Sequence, residues 1–185
     1  IFDEIPSALG RTGKMFVCEH FDVEPDMLVI GKGLGGGIFP MAALLANEAL
    51  DVVEDKALGH YTHEKSSVGC AAALATIDCL MEDGLLDNAV TLGNSGLQQL
   101  EALKLKHPII HEVRGLGLFY GIDLRVDGKL ASNEADAILY HSLSNGLSYK
   151  VGGSSILTLC PPLTINNDEL TQAFSIIENG INSLD

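Results

Sequence analysis

The run Met27-Leu-Val-Ile-Gly-Lys32-Gly-Leu-Gly-Gly-Gly37 constrains this chain more than any other stretch. Apolar residues without polar alternation read as a buried strand. The strand breaks at once into glycines around one lysine, which puts an amine at a strand terminus. Little bulk lies beside it, so a planar ligand can come close. A lysine held out of bulk water is readily deprotonated, and a neutral amine can form a Schiff base with an aldehyde. Asp3 ends another short apolar run 29 positions upstream of Lys32. An aspartate at the end of a second strand can supply the acid that a ring nitrogen needs.

Gly31-Lys-Gly33-Leu-Gly-Gly36 also satisfies the G-x-G-x-x-G pattern after a strand. A dinucleotide-binding turn, however, opens a helix and has an acidic residue about 20 positions on. Here Pro40 and a run of β-like apolar residues come next instead. A Walker A loop places Ser or Thr after its lysine, and Gly33 stands there. The remaining rival is a purely structural glycine loop.

Of the 185 residues, 46% are hydrophobic and 19% charged, enough for a real core and against disorder. The net charge of −14 argues against nucleic acid and anionic membrane surfaces. Any anionic ligand must then be met by a local cluster of donors. The four cysteines, Cys18, Cys70, Cys79 and Cys160, show no CxxC pairing and read as buried reduced thiols of a cytoplasmic protein. No signal peptide and no apolar stretch of spanning length are visible. No His/Cys/Asp cluster has metal-ligand spacing, and no Ser/His/Asp elbow appears. The chain opens on Ile1-Phe-Asp3 without a methionine, which reads as the end of a buried strand and predicts a first half elsewhere.

Residues 6–14 carry turn chemistry, and 15–22 predict a short helix before Pro25. Residues 27–31 and 40–46 predict buried strands, and Asn47 predicts the cap of a helix running to about Lys56. Helices are expected at 67–81, 85–105, 133–145 and 167–183. The last opens on the capping pair Asn166 and Glu169. Short strands are expected at 109–113, 117–124, 147–151 and 155–160. Strands alternating with helices indicate an α/β protein. The pattern shifts near residues 105–110, which separates part of a large, mainly parallel-sheet domain (1–105) from a small C-terminal α/β domain (106–185).

Several segments together resemble class III aminotransferases, which are pyridoxal-phosphate (PLP) enzymes of fold type I. They are Ile1-Phe-Asp-Glu4, Gly10-Arg-Thr-Gly-Lys-Met-Phe16, Glu19-His20, Pro25-Asp26, and Gly31 to Gly37. The likeness continues through Thr62, Gly69-Cys-Ala-Ala-Ala-Leu-Ala75, Val113-Arg-Gly-Leu-Gly-Leu118 and Pro161-Pro-Leu163. It covers the whole chain in order, and it is the joint occurrence that is specific. The resemblance implies that Asp3 pairs with the pyridine nitrogen. It implies that Lys32 is the Schiff-base lysine and proton carrier, and that Ile5 touches the cofactor. Thr62 resembles the threonine that reaches the phosphate of the neighbouring subunit's cofactor, which implies a homodimer with shared sites. The family's phosphate cup and ring-stacking aromatic residue come from sequence upstream of Ile1. With nothing before Ile1, this polypeptide alone is expected to be incompetent.

Three departures bear on the substrate. The family pattern Asp-Glu-Val-Gln reads Asp-Glu-Ile5-Pro6 here, so the glutamine contact to the cofactor is lost. Thr158 stands where an arginine commonly clamps an α-carboxylate, and threonine cannot replace that fork. The loop after Thr62 reads His63-Glu-Lys65-Ser-Ser in place of Gly-Gly-Asn-Pro. Lys65 and Thr158 are therefore the substrate-contact candidates, with His63 beside Lys65. The first expectation is an aminotransferase acting on an amine or ω-amino substrate through Lys32. One alternative is an ammonia-lyase on an amino-phosphonate or amino-alcohol phosphate. Another is an inactive fragment with an interaction role. Arg11 is expected to tie down its loop, Arg114 to pair with a carboxylate, and Glu19-His20 to form a packed helix end.

Overall fold

The computed structural model describes residues 1–53, 56, 59, 64 and 66–184. The chain divides into two compact units. The first comprises Ile1–Gly10 and Lys14–Leu86. The second comprises Arg11–Gly13 and Asp87–Asp185.

In the first unit, strands β1 (Phe2–Asp3), β2 (Met27–Ile30) and β3 (Ala43–Ala46) form a sheet in that order. β1 runs parallel to β2, and β3 runs antiparallel to it. The sheet is thus mixed, with one parallel pairing in the half expected to be mainly parallel. Leu28 and Ile30 of β2 are buried, but Phe2, Leu44 and Leu45 are exposed. The expectation of fully buried flanking strands fails because β1 and β3 are edge strands of a narrow sheet.

Helix α1 (Ser67–Glu82) starts at Ser66, whose Oγ accepts the Gly69 N–H at 3.3 Å. Gly69 lies against Phe39 and Met41. A Cβ there would come within 2.7 Å of the Met41 sulfur and 2.9 Å of the Phe39 ring. This absence of a side chain lets the chain leaving the glycine loop pack on α1. Asn47 does cap, its Oδ1 accepting the Ala49 N–H at 3.0 Å, but it opens only a 3₁₀ turn at Glu48–Leu50. A cap satisfies one orphan N–H, and a helix also needs an apolar face to bury. Val52 and Leu50 are exposed instead.

The second unit is a sheet with helices on one face. β4 (Ile110–Leu116), β5 (Phe119–Val126), β8 (Ile156–Leu159) and β7 (Lys150–Gly152) lie in that order, all antiparallel. A short β6 (Lys129–Leu130), which sequence patterning missed, pairs with β5. Helices α2 (Leu85–Lys106), α3 (Ser132–Ser144) and α4 (Asn167–Asn182) supply Leu100, Ile138, Leu170 and Ile177 to a core shared with Tyr120, Ile122, Leu124 and Leu157. The Tyr120 and Phe174 rings meet edge to face, 5.9 Å between centroids. The Tyr120 hydroxyl donates to the Leu92 carbonyl at 3.0 Å, and burial pushes its pKa up to about 12. α4 begins as its sequence predicts, with Asn166 and Glu169 exchanging side-chain to backbone bonds at 2.9 and 3.0 Å.

Three backbones meet at the β4–β5 turn. Gly117 has φ +54°, and a Cβ on it would lie 2.5 Å from the Thr12 backbone carbon. A Cβ on Gly93 of α2 would lie 2.6 Å from Gly117 itself. Glycine is required at both places by close approach, and at Gly117 also by its left-handed φ. The Leu118 N–H donates to the Arg11 carbonyl at 3.0 Å, and the Arg11 guanidinium donates to the carbonyls of Leu118 and Pro161. Arg11 thus ties down its loop, as its sequence context predicts. Burial lowers its pKa, and the neighbouring Cys160 works in the opposite direction.

Candidate functional site

The site is set by the parallel pairing of β1 with β2. Asp3 is registered against Val29, so both strands end on the same side of the sheet. Lys32 comes just after the end of β2 and opens a 3₁₀ turn, Lys32–Gly35. Ligands of α/β sheets bind outside the carboxyl ends of parallel strands, where loops can converge. Asp3 and Lys32 therefore project from neighbouring strand ends of one unit.

Lys32 has φ +46°, in the left-handed region. For a residue with a Cβ this costs about 1–2 kcal/mol, and such strain is concentrated at functional sites. The glycines around it accommodate the turn: Gly36 and Gly37 also have positive φ. A Cβ on Gly31 would meet Ile5 at 3.6 Å and Ala42 at 3.5 Å, so Ile5 lies beside the residue preceding Lys32. Lys32 is exposed and makes no hydrogen bond or ion pair among the described residues. The expectation of a lysine held out of bulk water is not met in this chain, because Lys32 lies beyond the end of β2 in an exposed turn.

Asp3 is exposed, and its Oδ1 accepts the Ile5 N–H at 3.1 Å. The aspartate turns the chain out of β1 with that oxygen. Glu4 is not singled out by sequence patterning, yet it positions the loop between the strands. Its carboxylate is buried and accepts the N–H groups of Val17 at 2.6 Å and Cys18 at 2.9 Å. Burial pushes the Cys18 thiol pKa up, and the Glu4 carboxylate adds to that. A signal for it exists: successive strand residues face opposite sides, so of two adjacent acids one must turn inward.

Pro6, in the place of the family's glutamine, is exposed. Thr158 lies in β8, paired with Gly121 of β5 and Lys150 of β7. Thr62, Lys65 and His63 lie outside the described residues. Arg114 pairs with Glu112 at 2.8 Å, and the Glu19 carboxylate accepts the Phe16 N–H at 2.7 Å, both as structural roles predict. Cys18 is buried, but Cys79 and Cys160 are exposed, which corrects the reading of four buried thiols. A cleft of about 580 Å³ lies at the opposite end of β2, lined by Phe16, Leu28 and Leu45 and rimmed by Asp22, Glu24 and Asp26. It contains neither Asp3 nor Lys32. Among the described residues no group of three or more His, Cys, Asp or Glu side chains is placed to hold a metal. No helix among them is long and apolar enough to cross a membrane.

The class-III aminotransferase family matches residues 1–181. This chain belongs to that family. It is 42% identical, over 98% of its length, to the (R)-1-hydroxy-2-aminoethylphosphonate ammonia-lyase of Vibrio splendidus, of which it covers 38%. It is 37% identical over 96% of its length to ornithine aminotransferase 1 of Staphylococcus saprophyticus, covering 43% of that protein. The structure matches acetylornithine aminotransferase from Elizabethkingia anophelis with a TM-score of 0.88 at 34% identity, over 97% of this chain and 46% of that one. The PLP transferase fold, type I, read from the sequence is the fold of these neighbours. The chain thus spans less than half the length of these relatives.

An acid and an amine on adjacent strand ends fit a PLP ring chemically: a carboxylate can pair with a protonated ring nitrogen and an amine can reach an aldehyde carbon.

Proposed function

We propose that this chain carries the lysine-bearing part of a PLP-dependent enzyme that acts on an amine or ω-amino substrate. The observation that carries the reading is Lys32, strained at φ +46° on a strand end beside that of Asp3. PLP, when bound, supplies an electron sink for charge developing on the substrate carbon. The Lys32 amine would hold the cofactor's aldehyde carbon and, once free, would serve as the base that takes up and returns the proton at the substrate carbon. Asp3 holds the ring nitrogen in its protonated state. In this reading residues 1–105 are the second half of the cofactor domain and 106–185 the small domain. Thr62 of one protomer serves the phosphate of the other's cofactor, so the enzyme is a homodimer. A cytoplasmic enzyme is supported by four cysteines that show no CxxC pairing.

A second reading is favoured by Thr158. A side chain without a fork for an α-carboxylate suits a substrate lacking that group. The 42% identical relative is named an ammonia-lyase on a hydroxy-aminophosphonate. The lyase reading keeps the same roles for Lys32 and Asp3 and ends with release of ammonia. Lys65 would then help to meet the anion.

Two measurements test these readings on the full-length protein. Visible absorbance of bound PLP should disappear in Lys32→Ala; absorbance retained in that variant, or absent from the wild type, leaves an inert chain with an interaction role. Amine supplied without a keto-acid acceptor should yield at most one equivalent of product per site, and no free ammonia, from an aminotransferase. Ammonia released under that condition selects the lyase.

A further inference from the structure

We propose that the sheet of the second unit carries an anion site for a phosphonate or phosphate group. The site is the cross-strand row Arg114, Gly121, Thr158 and Lys150. As a substrate subsite it rests on the proposed contact of Thr158 with substrate.

The row arises from register. Arg114 of β4 is paired with Gly121 of β5, Gly121 with Thr158 of β8, and Thr158 with Lys150 of β7. Residues directly opposite each other on antiparallel strands put their side chains on the same face. That face is turned away from the core, since Val113, Ile122 and Leu157 alternate with the row and are buried. Two long cations therefore stand at the ends of the row, and two small residues lie between them.

The side chains use that space. Arg114 leans over Gly121: a Cβ there would lie 3.6 Å from its Cγ and 3.7 Å from its Nε. The guanidinium is thereby carried to about one strand spacing, roughly 4.8 Å, from the Thr158 position. Lys150 is paired with Thr158 from the other side. It is exposed and makes no ion pair among the described residues. The Thr158 hydroxyl is half-buried and bonds to no other described residue.

The local charges leave the row basic in a chain of net charge −14. Glu112 occupies one nitrogen of Arg114 at 2.8 Å, and a guanidinium has further N–H donors to offer. Asp123, two residues along β5 from Gly121, is buried and engaged by Arg125 at 3.1 Å and by the Ser155 hydroxyl at 3.1 Å. A monoanionic carboxylate is satisfied by one fork. Two separate cations with a hydroxyl between them match a dianion with three oxygens.

The test is calorimetric titration of the full-length enzyme, loaded with PLP so that the cofactor's own phosphate site is filled. The probes are methylphosphonate and acetate, with absorbance of bound PLP recorded in parallel. Wild type should bind methylphosphonate in preference to acetate. Lys150→Ala and Arg114→Ala should each weaken that binding by about tenfold, with PLP absorbance unchanged. Methylphosphonate binding that is absent, or unaltered by both substitutions, overturns the site. Equal binding of acetate overturns its assignment to a dianion. Loss of PLP absorbance from the wild type would strike the proposed enzyme instead, and the methylphosphonate titration of Lys150→Ala would still decide the site.

Discussion

Lys32 and Gly117 both occupy left-handed backbone, for different reasons. At Lys32 the strain is carried by a residue with a Cβ, as it also is at Leu9, Asp22, Asp127 and Ser154. At Gly117 the conformation is free, and the constraint is space: the Thr12 backbone sits where a Cβ would go. Gly117→Ala should therefore lower stability by about 2–4 kcal/mol, because neither backbone can yield without breaking the Leu118 to Arg11 bond. Urea unfolding checks this, and an unchanged midpoint would mean that the segment at 11–13 does not pack on the turn. Glu4 shows what residue chemistry alone leaves unread. It is not singled out in the sequence, and it is a buried acceptor that fixes the loop at Val17 and Cys18.

Among the elements, helices with an apolar face to bury were legible in the sequence. α1, α3 and α4 lie within two residues of their expected bounds, and α4 starts at its predicted capping pair. The failures share a cause. Asn47 has the cap but no apolar face after it, and β6 is two residues long with both exposed. α2 and α4 are also joined near the end of α2, where His107 and Lys106 approach Glu178 at 3.1 and 3.2 Å. The bond from His107 holds the Glu178 pKa below its ordinary 4.5, burial opposes it, and Lys106 assists. A carboxylate depressed in the folded state stabilises above its unfolded value, and that stability is lost as pH falls through the folded one. Melting temperature should thus drop as pH falls below the ordinary glutamate range. Glu178→Gln should flatten part of that slope, and a parallel pH profile would refute the link.

For the whole molecule, the proposed exchange of Thr62 between subunits has a distinct consequence. Lys32→Ala and Thr62→Val should each impair activity as homodimers. Mixed in equal amounts, they should recover about one quarter of wild-type sites, because each heterodimer rebuilds one intact site from the two chains. Activity of the mixture no greater than the mean of the two variants would show that each site draws on one chain. The family was legible because its motifs recur in order along the whole chain. The substrate was less legible, since Thr158 records only the loss of an arginine.

By itself the sequence determined the α/β class and the family and singled out Lys32 and Asp3 as candidates, because these depend on local patterns and on motif order. Only the tertiary structure decided that both residues leave adjacent ends of a parallel strand pair, and that Glu4 faces inward while Asp3 faces out. It alone aligned Arg114, Thr158 and Lys150, which lie far apart in the chain. Register across a sheet is set by hydrogen bonding between distant segments and by burial of one face, and neither is written in any single stretch of residues.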